Sequence, residues 1–190
     1  MTIQLPDRES GFTLIELMVV CLLLVAVLSV VGGIFYSTIT AQQKVDKVTT
    51  SADTAQSAAS TIDDRIRNAS EFRVTSPVAG DQLLVARAAG TGATVDWTCY
   101  GWYYSSSAHT LRMTTTTPGT KITAPTTSQL ASWTLLASGV TPPSGSSVFT
   151  QDALRLTVAF DVSAGSTAKP TGIRFTTAAL TGASGAGTCY

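Results

Sequence analysis

The chain has 190 residues, with 12 basic and 12 acidic side chains and no formal net charge. Only 13% of its residues are charged, about half the usual share for a soluble domain, while 44% are apolar and the mean hydropathy is positive at +0.25. Neutrality argues against a protein built to coat nucleic acid or an anionic membrane, and the apolar content excludes global disorder.

That length accommodates one globular domain with an appendage. The apolar excess lies at one end. No charged side chain occurs from Leu17 to Gln43, and Leu17–Tyr36 (LMVVCLLLVAVLSVVGGIFY) supplies the roughly 20 apolar residues with which a helix crosses ~30 Å of hydrocarbon. A secretory signal peptide carries a shorter apolar run, about 7–15 residues, behind a basic start. Here the run is longer, and Arg8 stands between Asp7 and Glu9 in a leader that is not clearly basic.

Glu16 sits at the edge of this span, five positions beyond Gly11. The macrodipole favours a carboxylate near a helix start, but within lipid an unpaired charge costs about 2.5–3.5 kcal/mol at mid-span and less near an end. No basic side chain follows Glu16 before Lys44. A partner would exist if the chain were cut after Gly11, because the new α-amino group of Phe12 in one subunit could face Glu16 of another. Without such a cut, Glu16 is an interfacial carboxylate at the mouth of an ordinary anchor.

Gly11-Phe12-Thr13-Leu14-Ile15-Glu16-Leu17-Met18, after a polar leader and before an apolar helix, resembles the class III signal of type IV prepilins and type II secretion pseudopilins. The resemblance implies cleavage between Gly11 and Phe12 by a prepilin peptidase, N-methylation of Phe12, and a role for Glu16 in translocation and filament register. It implies other pilin or pseudopilin subunits and a pilus assembly platform as partners. The precursor would cross the cytoplasmic membrane once and then enter a surface filament. It also implies an α+β pilin fold, a long N-terminal helix packed on an antiparallel sheet, divided as leader 1–11, membrane and filament-core helix 12–36, amphipathic helix 37–73 and β-rich domain 74–190.

The residues beyond the span agree with that plan. Ala41, Val45, Val48, Ala52, Ala55, Ala59, Ile62, Ile66 and Ala69 advance by alternating fours and threes, with Phe72 three further on. The stripe is alanine-rich at its centre, which suits close approach to a sheet. No proline lies between Pro6 and Pro77, so a helix from about Phe12 to Phe72 is expected. Asp63 and Arg67 make an i,i+4 pair on it. Gly32-Gly33 could serve as a bending point or as a close-packing face.

From Val74 the texture turns to Thr, Val, Gly and Ser, and strands are expected at Gln82–Arg87, Thr94–Tyr104, His109–Thr116, Ser132–Ala137, Ala153–Val162 and Gly172–Leu180. The alternation of Leu154, Leu156, Val158, Phe160 and Val162 is the clearest. Pro142-Pro143-Ser144-Gly145 and Ser163–Pro170 are turns or loops.

Of three cysteines, Cys21 falls in the span. If the rest is exported, Cys99 and Cys189 are the pair left for a disulfide, closing a long loop. Free thiols or a metal site are the alternatives, but two Cys and one distant His109 make a poor ligand set. No catalytic motif is present, and Gly90-Thr91-Gly92 lacks the helix and third glycine of a phosphate loop. The expectation is a non-enzyme without cofactor or metal. The aromatic run Trp97–Tyr104 either fills the core and shields a disulfide or grips a ligand.

Asp63-Asp64-Arg65-Ile66-Arg67-Asn68-Ala69, Trp102-Tyr103-Tyr104 and Leu111-Arg112 are similar to W-type minor pilins and J-type pseudopilins, which implies a low-abundance subunit of an initiating tip complex. Two other functions stay open. One is a surface-binding protein or enzyme on an uncleaved anchor. The other is a competence-pilus DNA receptor, which would need Arg65, Arg67, Arg73, Arg87 and Arg112 to converge on one face; nucleic acid is otherwise not indicated.

Overall fold

The computed structural model describes residues 13–89, 97–117, 119–163, 170–180 and 189–190. The chain divides into two compact units, Met1–Val45 and Asp46–Tyr190. The first holds the apolar part of helix α1 (Leu14–Arg67), whose large side chains from Leu14 to Tyr36 are exposed. This stretch is long and apolar enough to cross a membrane. Ser29 within it turns its hydroxyl back onto the helix, donating to the Val25 carbonyl at 2.8 Å, and Thr38 just beyond it donates to that of Ile34 at 2.9 Å. A hydroxyl satisfied in this way does not enter hydrocarbon as an orphan donor. Gly32 and Gly33 do not interrupt α1, and the space beside each is open.

In the second unit, α1 buries Ala55, Ala58, Ala59, Ile62 and Ile66. Strands β1 (Ala69–Thr75), β2 (Gln82–Ala89), β3 (Trp97–Ser105), β4 (Thr110–Thr116) and β5 (Thr134–Ser138) form an antiparallel sheet in chain order. The short helix α2 (Thr127–Ser132) precedes β5, opened by a capping box between Thr126 and Gln129. A second antiparallel sheet comprises β6 (Val140–Thr141), β7 (Phe149–Asp152), β8 (Arg155–Val162) and β9 (Thr171–Ala178). In it β9 pairs along all of β8, while β7 and β6 pair with its two ends.

One core joins the alanine face of α1 to Leu84, Ala86, Trp102 and Leu111 of the first sheet and to Phe149, Leu156, Val158 and Phe160 of the second. The other face of the first sheet is also covered, with Leu83, Val85, Cys99 and Tyr103 beneath Ile122 and Cys189. Two covered faces explain why β2 is buried from Gln82 to Ala88 and shows no alternation. The arrangement is α+β, a long N-terminal helix packed on an antiparallel sheet.

Element ends differ from expectation in four places. Helix α1 stops at Arg67, not Phe72, so residues 68–73 leave the amphipathic helix assigned to 37–73. Asn68 Nδ2 donates to the Asp64 carbonyl, while the Asn68 carbonyl accepts from the Ala89 amide at 3.1 Å. Ala69 and Phe72 therefore reach the core from β1, where sheet pairing overrides helical spacing. The strand expected at Ala153–Val162 begins at Arg155; Ala153 has φ of 51° and turns the β7–β8 hairpin, leaving Leu154 exposed. Ser132 closes α2 instead of opening a strand, and β6 and β7, for which no strand was expected, flank the turn at Pro142-Pro143-Ser144-Gly145. Residues 94–96 of the second expected strand, and Gly90-Thr91-Gly92, lie outside the described residues.

Candidate functional site

Glu16 is the carboxylate of the first turn of α1. The Thr13 carbonyl accepts from the amides of Glu16 at 3.0 Å and Leu17 at 3.2 Å, which starts the helix just before the apolar span. The side chain is thus held beside the positive end of the helix dipole. Among the described residues it has no ion-pair partner. Gly11 and Phe12, the expected cleavage and methylation residues, lie outside the described residues, as does the leader.

Cys99 and Cys189 form a disulfide with Cα atoms 5.5 Å apart across a sequence separation of 90. Both are fully buried. The Cys189 carbonyl accepts from the Ile122 amide at 2.8 Å, so the bond also fixes the segment that crosses the outer face of the sheet. Tyr190 continues this anchoring: its hydroxyl donates to Glu71 Oε2 at 3.0 Å, and the Arg73 guanidinium lies 4.2 Å from its ring centroid. Burial and the bond to Glu71 push the Tyr190 phenol up. Cys21 is an unpaired thiol on the exposed apolar helix.

The five arginines that a nucleic-acid surface would need are each engaged within the chain. Arg65 lies over Tyr100 at 4.9 Å, and Arg67 Nε meets Asp63 Oδ2 at 2.8 Å. Burial pushes the Asp63 carboxyl up, but the Arg67 guanidinium helps to outweigh it and the net shift is downward. Arg73 stacks on Tyr190 as above. Arg87 is buried in β2, donates to Ser70 Oγ at 2.9 Å, lies 3.5 Å from Glu71 Oε1 and covers Trp97. Arg112 Nη1 donates to the Trp133 carbonyl at 2.9 Å.

The aromatic run on β3 divides by face. Tyr100, Trp102 and Tyr104 enter the core against α1, whereas Cys99 and Tyr103 point to the disulfide side. The core half of the expectation therefore holds for these residues. His109 is exposed in the β3–β4 turn with φ of 51°. Among the described residues, no three His, Cys, Asp or Glu side chains come together as a metal site. Sequence reasoning missed Asp81, which accepts from the Ser106 amide and hydroxyl at 2.7 Å each and from the Tyr103 hydroxyl at 2.6 Å. Only its place in a turn, Gly80-Asp81, signalled it in advance.

An N-terminal helix apolar enough to cross a membrane, with a glutamate in its first turn, thus precedes an α+β unit closed by a disulfide. Residues 6–32 match the family model of the prokaryotic N-terminal methylation motif. The chain therefore carries the class III signal of type IV prepilins and pseudopilins, a motif that implies processing by a prepilin peptidase and assembly with other pilin subunits. No curated protein and no solved structure matches it.

Proposed function

We propose that the chain is a minor pilin or pseudopilin, a structural rather than catalytic subunit of a type IV pilus-like filament. The observation that carries this reading is the methylation motif at residues 6–32, set at the start of an uninterrupted helix whose span is apolar on every side. Cleavage between Gly11 and Phe12 creates an amine, and the helix passes from lipid to the equally apolar company of neighbouring helices. There Glu16 pairs with the Phe12 amine of another subunit, the one arrangement that leaves neither charge alone in a low-dielectric core. The disulfide fits a domain delivered to an oxidising compartment. The similarity of 63–69, 102–104 and 111–112 to W-type and J-type subunits supports a place in the tip complex.

The test is co-expression with a prepilin peptidase, followed by intact mass and N-terminal sequencing. An N-methylated Phe12 terminus is the expected result. Retention of Met1–Gly11, with the peptidase active on a control substrate, removes the reading in favour of a binding protein on an uncleaved anchor. A second expectation concerns Glu16→Ala: membrane insertion is retained while incorporation into filaments falls sharply, measured by immunoblot of sheared filaments against the membrane fraction. Normal incorporation would show that Glu16 does not set register.

A further inference from the structure

The outer face of the first sheet carries a cleft of about 210 Å³ between β4, the segment leading to α2, and α2 itself. Its walls are held by internal bonds. Thr116 Oγ1 donates to the Thr120 carbonyl at 3.0 Å, Ser132 Oγ to that of Gln129 at 2.7 Å, and the Ile122 amide to the Cys189 carbonyl at 2.8 Å. The Gln129 carboxamide oxygen is taken by the Thr126 amide at 2.9 Å, which leaves its NH₂ group to the cleft. Among the described residues, the polar ends of Thr114, Lys121 and Thr123 have no partner of their own. Trp133 forms the aromatic part of the wall; it is half-buried, set edge-to-face against Tyr103 with centroids 6.3 Å apart.

This donor set narrows the ligand. A single lysine is too little charge for nucleic acid or a multiply charged anion, which take clustered Arg and Lys. No carboxylate lines the cleft to hold a divalent cation. An apolar ligand takes a predominantly apolar wall, and hydroxyl, amide and ammonium groups predominate here. What remains complementary is a neutral ring bearing several hydroxyls and one C–H face. The cleft falls below the ~300 Å³ of sites for drug-sized molecules, so it admits about one ring. The geometry points to a pyranose-binding site. Trp133 receives the C–H face of the sugar, and Thr114, Lys121, Thr123 and Gln129 exchange hydrogen bonds with its hydroxyls. The site does not depend on assembly into a filament, so failure here leaves the processing result intact.

The test uses the full chain in lipid nanodiscs, which avoid sugar-headed detergents. Glucose, galactose, mannose and N-acetylglucosamine are the probes, read by saturation-transfer NMR and tryptophan fluorescence. At least one should bind with half-saturation on the order of 1–10 mM, with transfer concentrated on one face of the ring. Trp133→Ala should weaken it about tenfold or more. Because Trp133 also supports Tyr103, the rim variant Lys121→Ala/Thr123→Val is measured beside it, with the melting curve of each; the same loss at an unchanged melting temperature is expected of the rim variant. Absence of transfer to all four sugars would overturn the assignment. So would binding that persists unchanged in the rim variant.

Discussion

Asp81 shows how one carboxylate can tie two turns together. It lies at the end of the β1–β2 connection and gathers three donors from Tyr103 and from Ser106 in the β3–β4 turn. Burial alone would raise its carboxyl, but these hydrogen bonds outweigh it and draw it below the ordinary 3.8. Burial and the bond to Asp81 push the Tyr103 phenol up from 10.0 to about 12. A lowered carboxyl contributes stability that is present above its unfolded value and lost as pH falls through the folded one. The acid window for Asp81 therefore lies below about pH 4. The raised phenol contributes below pH 10.0 and loses its contribution as pH climbs toward about 12. Asp81→Ala is expected to cost about 1–3 kcal/mol at pH 7, because it orphans donors that folding has partly desolvated. Urea unfolding at several pH values checks it: the gap from wild type should narrow below about pH 4, and a gap independent of pH would assign the contribution to packing.

At the scale of elements, Gly101 on β3 is required by what crosses over it. A Cβ placed there would meet Ile122 Cγ2 at 2.8 Å, so the segment carrying Ile122 packs directly on the strand backbone. Gly101→Ala should destabilise by about 1–3 kcal/mol as overpacking, and Ile122→Ala in the same chain should return part of that loss. A double-mutant cycle of thermal melts measures the coupling, and additive effects would refute direct contact as the cause. The crossing itself was not legible in the sequence, because Thr120–Ala124 has no periodicity to mark it as a cover. Helix α1 was legible for the opposite reason. Its alanine stripe repeats at helical spacing, and no proline interrupts it. Its end was not: Ala69 and Phe72 fit the helical period, and only pairing with β2 assigns them to a strand.

At the scale of the folded second unit, two glutamine side chains join the sheets by imitating backbone. Gln82 donates to the Phe149 carbonyl at 3.0 Å and accepts from the Phe149 amide at 2.9 Å. Gln151 accepts from the Val74 amide at 2.9 Å and donates to the Phe72 carbonyl at 3.3 Å. Gln82 is buried, so Gln82→Leu should cost about 2–3 kcal/mol by orphaning both Phe149 groups, measured as a lower urea midpoint with unchanged slope. The disulfide works on the same unit from the other face. The Cys99→Ser/Cys189→Ser variant should lose about 2–5 kcal/mol, and reductant should lower the wild-type midpoint while leaving the variant unaffected. Equal midpoints for wild type and variant without reductant would show that the bond contributes nothing.

The sequence by itself determined the membrane-capable apolar span, the processing signal, the Asp63–Arg67 pair and the long helix. All of these are local: an uninterrupted apolar run, a short motif, an i,i+4 spacing, a repeating stripe. It also narrowed the disulfide to Cys99 and Cys189, because Cys21 falls inside the apolar run and so left the choice. Tertiary structure decided where α1 ends, which face of each strand is buried, and that the strands among the described residues form two sheets. It also decided that Gln82 and Gln151 join those sheets, that Asp81 ties two turns of the first, and that five scattered arginines are spent on internal partners. Pairing between residues tens of positions apart is set by the backbone hydrogen bonds and side-chain volumes of both partners at once, and no stretch of one strand carries that information alone.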